Sequence, residues 1–433
     1  MYESFSKKGY WYLPSKEDQK IAGVLSYEPG EGSKLELFGS LNGNSVDDHF
    51  KNLRDDLNYD TPVIYGKTSD NTEFTLFNCL NTRSTRNFSA EFPVTYYSSD
   101  LLISGVLLQD IEAEIFDECT FRFTTFSSWL GINGFDFSEI LDHENPSYDI
   151  KYSNPTSIII QIDDSTDIIF EFHSMPAYSN DIFYQGLEIA QNAYMKIVSA
   201  TPRSFAHLKE QIFIFRNFLS LATLSPINID FVNLYINNEQ ALKESNSYIR
   251  NEVYFNYELY PLPKEITQRD FLFTYSLVSD VFTEILRKWF QIKDDIRPIL
   301  FYLIESIQPV KVFKINNFLN IAQALEGYHR RFCEGNEHLN KIIEKLVKKF
   351  INISLVQIEF TNCKVIAKSA YDSRNYYIHL GKAKYEGTKT GRELYEITIK
   401  IRLLLVCCVL NEVGFDNVLI NKMLVPGKLK TKR

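Results

Sequence analysis

The sequence predicts an α+β protein, with a β-rich N-terminal domain (a sheet or sandwich with some helices) followed by an all-α helical bundle. Three observations predict it. Apolar residues alternate at period two through much of the first 180 or so residues, the mark of half-buried strands. After Pro309 they recur at three- and four-residue steps, the mark of amphipathic helices. The charge also changes sign: residues 1–300 hold 24 Lys+Arg and 43 Asp+Glu, a net of −19, whereas residues 301–433 hold 22 and 12, a net of +10. An acidic front and a basic back imply different partners for the two parts, with an anionic polymer drawn to the second. The domain boundary is placed at 300/301, the first domain being β-rich to about residue 183 and mixed α/β after it.

Taken in chain order, Leu35, Leu37 and Leu41 alternate with polar or small neighbours, and Leu41-Asn42-Gly43-Asn44 punctuates the strands that follow. Phe121 and Phe123 alternate in the same way. The clearest hairpin runs from Ser157 to Ile162, turns through Asp163-Asp164-Ser165-Thr166-Asp167, and returns from Ile168 to His173. From about Tyr184 the pattern reads as helical, with Phe205, Leu208, Ile212, Phe215, Phe218 and Leu219 on one face. A further strand, Val253 to Leu259, precedes the breaker Pro261-Leu262-Pro263.

The C-terminal part begins with a helix facing inward through Phe318, Ile321, Leu325, Tyr328 and Phe332, with Asn316 or Asn317 available as cap. A second helix carries Leu339, Ile342, Leu346, Val347 and Phe350. A third runs from Val365 to Leu380 and stops at Gly381. A loop leads to Gly391 and into a last helix from about Arg392 to Val413. Its stretch Ile401 to Leu410 is apolar nearly all round apart from Arg402, which places it in a bundle centre or against a second subunit.

The chain has 433 residues, 45% hydrophobic and 23% charged, which excludes a disordered or fibrous class. Its longest apolar run, Leu403 to Leu410, is far too short to span a bilayer. Met1 to Pro14 has no continuous apolar core of a secretory signal. A cytoplasmic protein with no membrane partner is expected. The six cysteines form no C-x-x-C pair and stand at no zinc-ligand spacing, so no disulfide, metal or cofactor is expected.

One hexapeptide carries chemistry: Arg374-Asn375-Tyr376-Tyr377-Ile378-His379, at a helix end in the basic part. Histidine gives and takes a proton near neutral pH, and a permanently charged guanidinium braces the extra negative charge of a phosphorane. Asn375, four residues before His379, shares its helix face and is placed to orient the ring or hold a phosphate oxygen. Arg374, five residues back, is about 140° away on a regular helix. A kinked helix end, a long reach, or a twofold dimer would bring the two groups to one phosphate. The plainer reading is a histidine capping helix-end carbonyls and an arginine paired with Asp372 or another acid. Around the motif, Lys382, Lys384, Lys389 and Arg392 are candidates for tracking phosphates, and Tyr376 and Tyr377 for stacking on a base or packing in the core. Glu326 is read as surface or as reaching the site from a neighbouring helix, His329-Arg330-Arg331 as a second phosphate patch or a solvated face, and His173 as structural.

The last 130 or so residues resemble the HEPN superfamily (higher eukaryotes and prokaryotes nucleotide-binding domains), whose mark, Arg-x4-6-His with a polar residue after the arginine, fits Arg374-Asn375…His379. The fuller likeness is to the ApeA-like branch of bacterial phage-defence proteins. It rests on Gln323-Ala324-Leu325-Glu326 running into Tyr328-His329-Arg330-Arg331, on Gly9-Tyr10-Trp11-Tyr12-Leu13-Pro14 before Ile21-Ala22-Gly23-Val24-Leu25, and on Phe121-Arg122-Phe123-Thr124 with Trp129. The resemblance implies a helical bundle that homodimerises and sets two motifs around one cleft, acting as a metal-independent endoribonuclease in abortive infection. In it His379 is the general acid or base, Arg374 the phosphorane brace and Asn375 an orienting donor. It implies an RNA substrate, with tRNA one candidate, and an N-terminal domain that senses a trigger such as a phage protein. The alternatives are a non-catalytic HEPN adaptor that holds a nucleotide or RNA, and an interaction protein whose β domain recognises a ligand while the bundle only dimerises.

Overall fold

The structure, a computed structural model, describes residues 2–41, 60–85, 93–140, 147–180, 185–236, 249–256, 259–261, 267–307, 313–333, 335–380 and 385–429. Six strands open it: β1 (Phe5–Tyr12), β2 (Ile21–Glu28), β3 (Gly32–Leu37), β4 (Asp60–Thr68), β5 (Glu73–Thr85) and β6 (Val94–Ser104). They pair antiparallel in the order β6-β3-β2-β1-β4-β5, and β5 pairs back onto β6. The expected sheet or sandwich therefore begins as a closed barrel. Closure removes the unpaired edges, and it depends on β3 pairing with β6 and β1 with β4, strands distant in sequence whose partnership local alternation does not encode.

The barrel has its own core of Trp11, Leu25, Leu35, Leu37, Ile64, Phe74 and Leu76. Trp11 is wholly buried and stands directly opposite Gly66 in the β1–β4 register. A Cβ on Gly66 would overlap the indole ring. Gly66→Ala is thus expected to displace Trp11 and lower stability by about 1–3 kcal/mol, the usual cost of overpacking a tight core. Urea denaturation of the variant checks this, and an unchanged midpoint refutes the close-approach account.

From β6 the sheet continues through β14 (Ile249–Phe255), β13 (Ile229–Ile236), β7 (Phe116–Phe123), β12 (Gln185–Arg203), β11 (Thr166–Asn180) and β10 (Ile158–Asp163). A small separate hairpin joins β8 (Phe135–Ile140) to β9 (Ser147–Tyr152). The hairpin read at Ser157–His173 is β10–β11, with Ile160, Ile168, Phe170 and Phe172 turned inward. The helical reading from Tyr184 is corrected: 185–203 is β12, hydrogen-bonded to β11 on one side and β7 on the other. Its inward residues Ala193, Met195 and Ile197 alternate, and tertiary pairing on both edges outweighs local propensity. The strand read at Val253 is β14, with Val253 and Phe255 inward.

Helix α1 (Phe126–Leu130) follows β7, and the helix read from Phe205 is α2 (Phe205–Thr223). The Ser204 side chain caps α2 by accepting from His207 N at 3.2 Å. Its apolar face covers the inner face of the sheet. After β13, β14 and a single helical turn at Tyr275–Val278 come helices α3 (Phe282–Gln291) and α4 (Lys293–Ile307), so regular helix starts before Pro309. Trp289 Nε1 donates to Ile214 O at 2.9 Å, fastening α3 to α2.

The bundle then comprises α5 (Ile315–Phe332), α6 (Leu339–Lys349), α7 (Ser354–Glu359), α8 (Cys363–His379), α9 (Gly391–Val413) and α10 (Asn417–Met423). Neither Asn316 nor Asn317 caps α5; its N-cap is Lys314, and both asparagines lie in the first turn. The segment Leu403–Leu410 of α9 is buried on all sides in the bundle centre. One continuous apolar cluster links the inner face of the sheet through α2, α3 and α4 to this bundle. All six cysteines are free thiols, four of them buried. Among the described residues no helix is long and apolar enough to cross a membrane.

Candidate active site

Helix α8 presents the motif. Its buried side holds Ala367, Ala370 and three polar residues, Ser369, Asp372 and Ser373. Two of the polar groups strap down the segment that follows: Asp372 Oδ2 accepts from Gly387 N at 3.0 Å, and Ser373 Oγ accepts from Lys389 N at 2.9 Å. Gly387 is needed there, because a Cβ would run into the Asp372 carboxylate. Tyr377 completes the strap by donating its hydroxyl to Lys389 O at 3.0 Å, and burial pushes the phenol pKa up.

The motif splits into two groups. Arg374 Nη2 donates to Glu326 Oε2 of α5 at 2.9 Å, and its Nη1 donates to Asn375 Oδ1 at 3.2 Å. The arginine therefore pairs with Glu326, while Asp372 is taken by the backbone of Gly387. Arg330, one turn along α5, lies 3.9 Å from the same Glu326 carboxylate. Asn375 holds the guanidinium rather than the ring of His379. His379 is exposed in the last turn, with no hydrogen bond to its ring among the described residues. The helix ends at Leu380, which takes a left-handed conformation at φ 48°. Because α8 is helical through all five steps, the offset of about 140° between Arg374 and His379 stands. One copy of the chain thus presents an anchored cation and, round the helix and about 7.5 Å along its axis, an exposed imidazole.

The surrounding cations are less committed to one point. Lys389 Nζ pairs with Glu393 at 3.1 Å, and Arg392, on an open surface, pairs with Glu396 at 3.1 Å. Lys382 and Lys384 lie outside the described residues. The rings of Tyr376 and Tyr377 meet edge to face at 5.1 Å.

Glu326 takes the second of its two expected places, reaching the motif from a neighbouring helix rather than lying on the surface. The structure buries it to 9% exposure. A signal was present: Ala322, Glu326 and His329 fall at i, i+4 and i+7, one helical stripe turned inward. His329-Arg330-Arg331 is correspondingly not one face. His329 is buried with Nε2 3.5 Å from Glu337, whereas Arg330 and Arg331 are exposed. A hydrogen bond from Lys345 holds Glu337 below the usual carboxylate range. His173 is exposed on β11.

No curated protein and no solved structure matches the chain. Two family models do: the ApeA N-terminal domain 1 over residues 6–289 and the Apea-like HEPN over residues 319–419. The second contains α8, Glu326 and the whole of Arg374–His379. The chain belongs to the ApeA family, a β-rich ApeA N-terminal domain followed by an ApeA-like HEPN domain, the latter typically a ribonuclease fold.

Proposed function

We infer that this chain is an endoribonuclease of phage defence, cleaving RNA at a site composed from the HEPN domains of two copies and held in check by the N-terminal domain. The observation that supports it most is the state of the two motif groups: His379 exposed, with no hydrogen bond to its ring among the described residues, and Arg374 fixed at the helix surface by Glu326 and Asn375. In the proposed reaction His379 of one subunit takes the proton of an RNA 2′-hydroxyl. The 2′-oxygen forms a bond to the adjacent phosphorus, and Arg374 stabilises the charge of the resulting phosphorane. The bond from phosphorus to the 5′-oxygen then breaks, and that oxygen takes a proton from His379 of the partner subunit. The products are a 2′,3′-cyclic phosphate and a 5′-hydroxyl. With Asn375 at Arg374, its role is to hold the guanidinium rather than to orient the imidazole. Tyr377, Lys389 and Arg392, with Lys382 and Lys384, are assigned to the path of the RNA, and tRNA is a candidate substrate. The pairing of Arg374 with Glu326 also favours a second reading, a HEPN domain that holds RNA without cutting it.

The experiment is RNA cleavage by the purified full-length protein in EDTA, alongside His379→Ala and Arg374→Ala. Cleavage lost in both variants supports the nuclease; RNA binding without cleavage in the wild type supports the adaptor. Glu326 gives an independent check. It places a negative charge beside the cation that must meet a phosphate. Glu326→Gln preserves its shape and one acceptor while removing that charge, which at about 6 Å and an effective dielectric near 40 is about 1.4 kcal/mol. RNA binding, measured in a His379→Ala background, is expected to tighten about tenfold. Unchanged or weaker binding would place the phosphate elsewhere.

A further inference from the structure

The sheet half beyond the barrel has a second face, turned away from α2, and it carries a cleft of about 810 Å³. Its lining alternates out of β7, β11, β12, β13 and β14, with residues 2–5 and Lys7 along one side. On β12 the Tyr194 ring meets His173 edge to face at 5.1 Å and lies 5.6 Å from Phe231. On β14 the Tyr254 ring lies 4.9 Å from Tyr2, and the Tyr254 hydroxyl donates to Glu252 at 2.5 Å.

The charges in and beneath this cleft are unequal in their commitments. Arg122, stacked over Tyr194 and Phe231, is held by Asp230 at 2.9 Å. Lys7 pairs with Asp70, Arg250 with Glu252, and Lys196 with Glu118 and Glu171. Every one of these cations has a carboxylate. Glu3, exposed at the edge, has no ion pair among the described residues. The residues around it, 1–300, carry a net charge of −19. Among the described residues a polyanion finds no uncommitted Lys or Arg here, and it meets an unfavourable field. A cationic chain finds one carboxylate with no ion pair among the described residues, Glu3, since Glu252 is held by Arg250 and Tyr254, and aromatic faces of the kind that already receive Arg122.

We propose that this cleft binds a segment of a partner protein carrying basic and aromatic side chains, the basic group against Glu3 and the aromatic one against His173 and Tyr194. The proposal builds on the reading of the N-terminal domain as the sensing part and names the chemistry that it senses. Main-chain and side-chain contacts along an extended segment suit a cleft of this size between a sheet face and the chain's own N-terminal strand.

The test is fluorescence anisotropy of a labelled peptide of four Arg-Tyr repeats titrated with full-length protein, against a Glu-Tyr peptide and a twelve-residue oligouridylate. The Arg-Tyr peptide should bind and the Glu-Tyr peptide should not. Tyr194→Ala should weaken binding about tenfold, in line with loss of an aromatic anchor, and Glu3→Gln about threefold. Glu114→Gln, which removes the same charge outside the cleft, should change it less than about twofold. Equal effects of Glu3→Gln and Glu114→Gln, or no binding, overturn the proposal; so does oligouridylate binding that Tyr194→Ala abolishes, which would make this an RNA site. Glu3 is exposed and its variant keeps the fold, so the result does not depend on Tyr194→Ala folding. Peptide binding without any change in RNA cleavage upholds the cleft and removes its link to the nuclease. Failure to bind leaves the nuclease reading to the His379 variant.

Discussion

His379→Ala is expected to slow RNA cleavage by roughly 10²- to 10⁴-fold, the usual worth of a positioned general acid or base, without altering the fold. The second half of that expectation makes the first a clean measurement. His379 is exposed, stands in the last turn of α8 and makes no hydrogen bond to its ring among the described residues. Substitution there leaves no buried partner unsatisfied, so an urea midpoint equal to that of the wild type should accompany the lost rate. Arg374→Ala should lose activity on a similar scale, but less cleanly, because it leaves the Glu326 carboxylate buried without its closest cation. Arg374→Lys separates the two effects: it restores the charge near Glu326 and cannot reproduce the guanidinium fork. A rate that stays low in Arg374→Lys while stability returns would tie the loss to phosphate recognition. If both His379→Ala and Arg374→Ala cleave RNA at the wild-type rate, the catalytic assignment is lost.

Much of the fold was legible because its elements announce themselves locally. The β10–β11 hairpin has a short polar turn between two alternating runs, and α5, α6 and α9 carry apolar residues at helical spacing. What escaped depends on partners distant in sequence. Closure of the barrel needs β6 to pair with β3, Leu35 opposite Tyr97, as well as with its neighbour β5, and no local pattern specifies that distant ladder. Strand β12 contains residues that read as helical and are overruled by ladders on both its edges. The site follows the same rule. Arg374, Asn375 and His379 were visible as a contiguous motif, but the pairing of Arg374 with Glu326 joins residues 48 apart, across two helices. The cleft on the outer sheet face was invisible for the same reason: its wall is built from alternate residues of five strands, each unremarkable alone.

Arg402 gives the second large effect, this one on stability. It is the single interruption of the apolar stretch Ile401–Leu410 and is wholly buried. No carboxylate is its partner among the described residues. Its Nε donates to Ser306 Oγ at 3.2 Å, Nη2 to Ser306 O at 2.7 Å and Nη1 to Leu429 O at 2.6 Å. Ser306 lies in the last turn of α4, where carbonyls have no partner within the helix and the dipole is negative. Arg402 therefore caps α4 from another helix and ties the end of the described chain to the bundle. Burial pushes its pKa down to about 10, still well above neutrality, so it stays a cation that its hydrogen bonds must stabilise. Arg402→Ala deletes those bonds, strands two buried carbonyls and leaves a cavity, at a combined cost of about 3–5 kcal/mol. Arg402→Met fills the volume and removes the burden of a desolvated charge, so it should fall between the alanine variant and the wild type. Arg402→Lys keeps a charge but offers one ammonium where the fork bridges Ser306 and Leu429, and should recover only part of the loss. Urea denaturation of the three variants orders them, and an alanine variant within about 0.5 kcal/mol of the wild type, the range of an ordinary surface substitution, would mean that the bridge carries no stability.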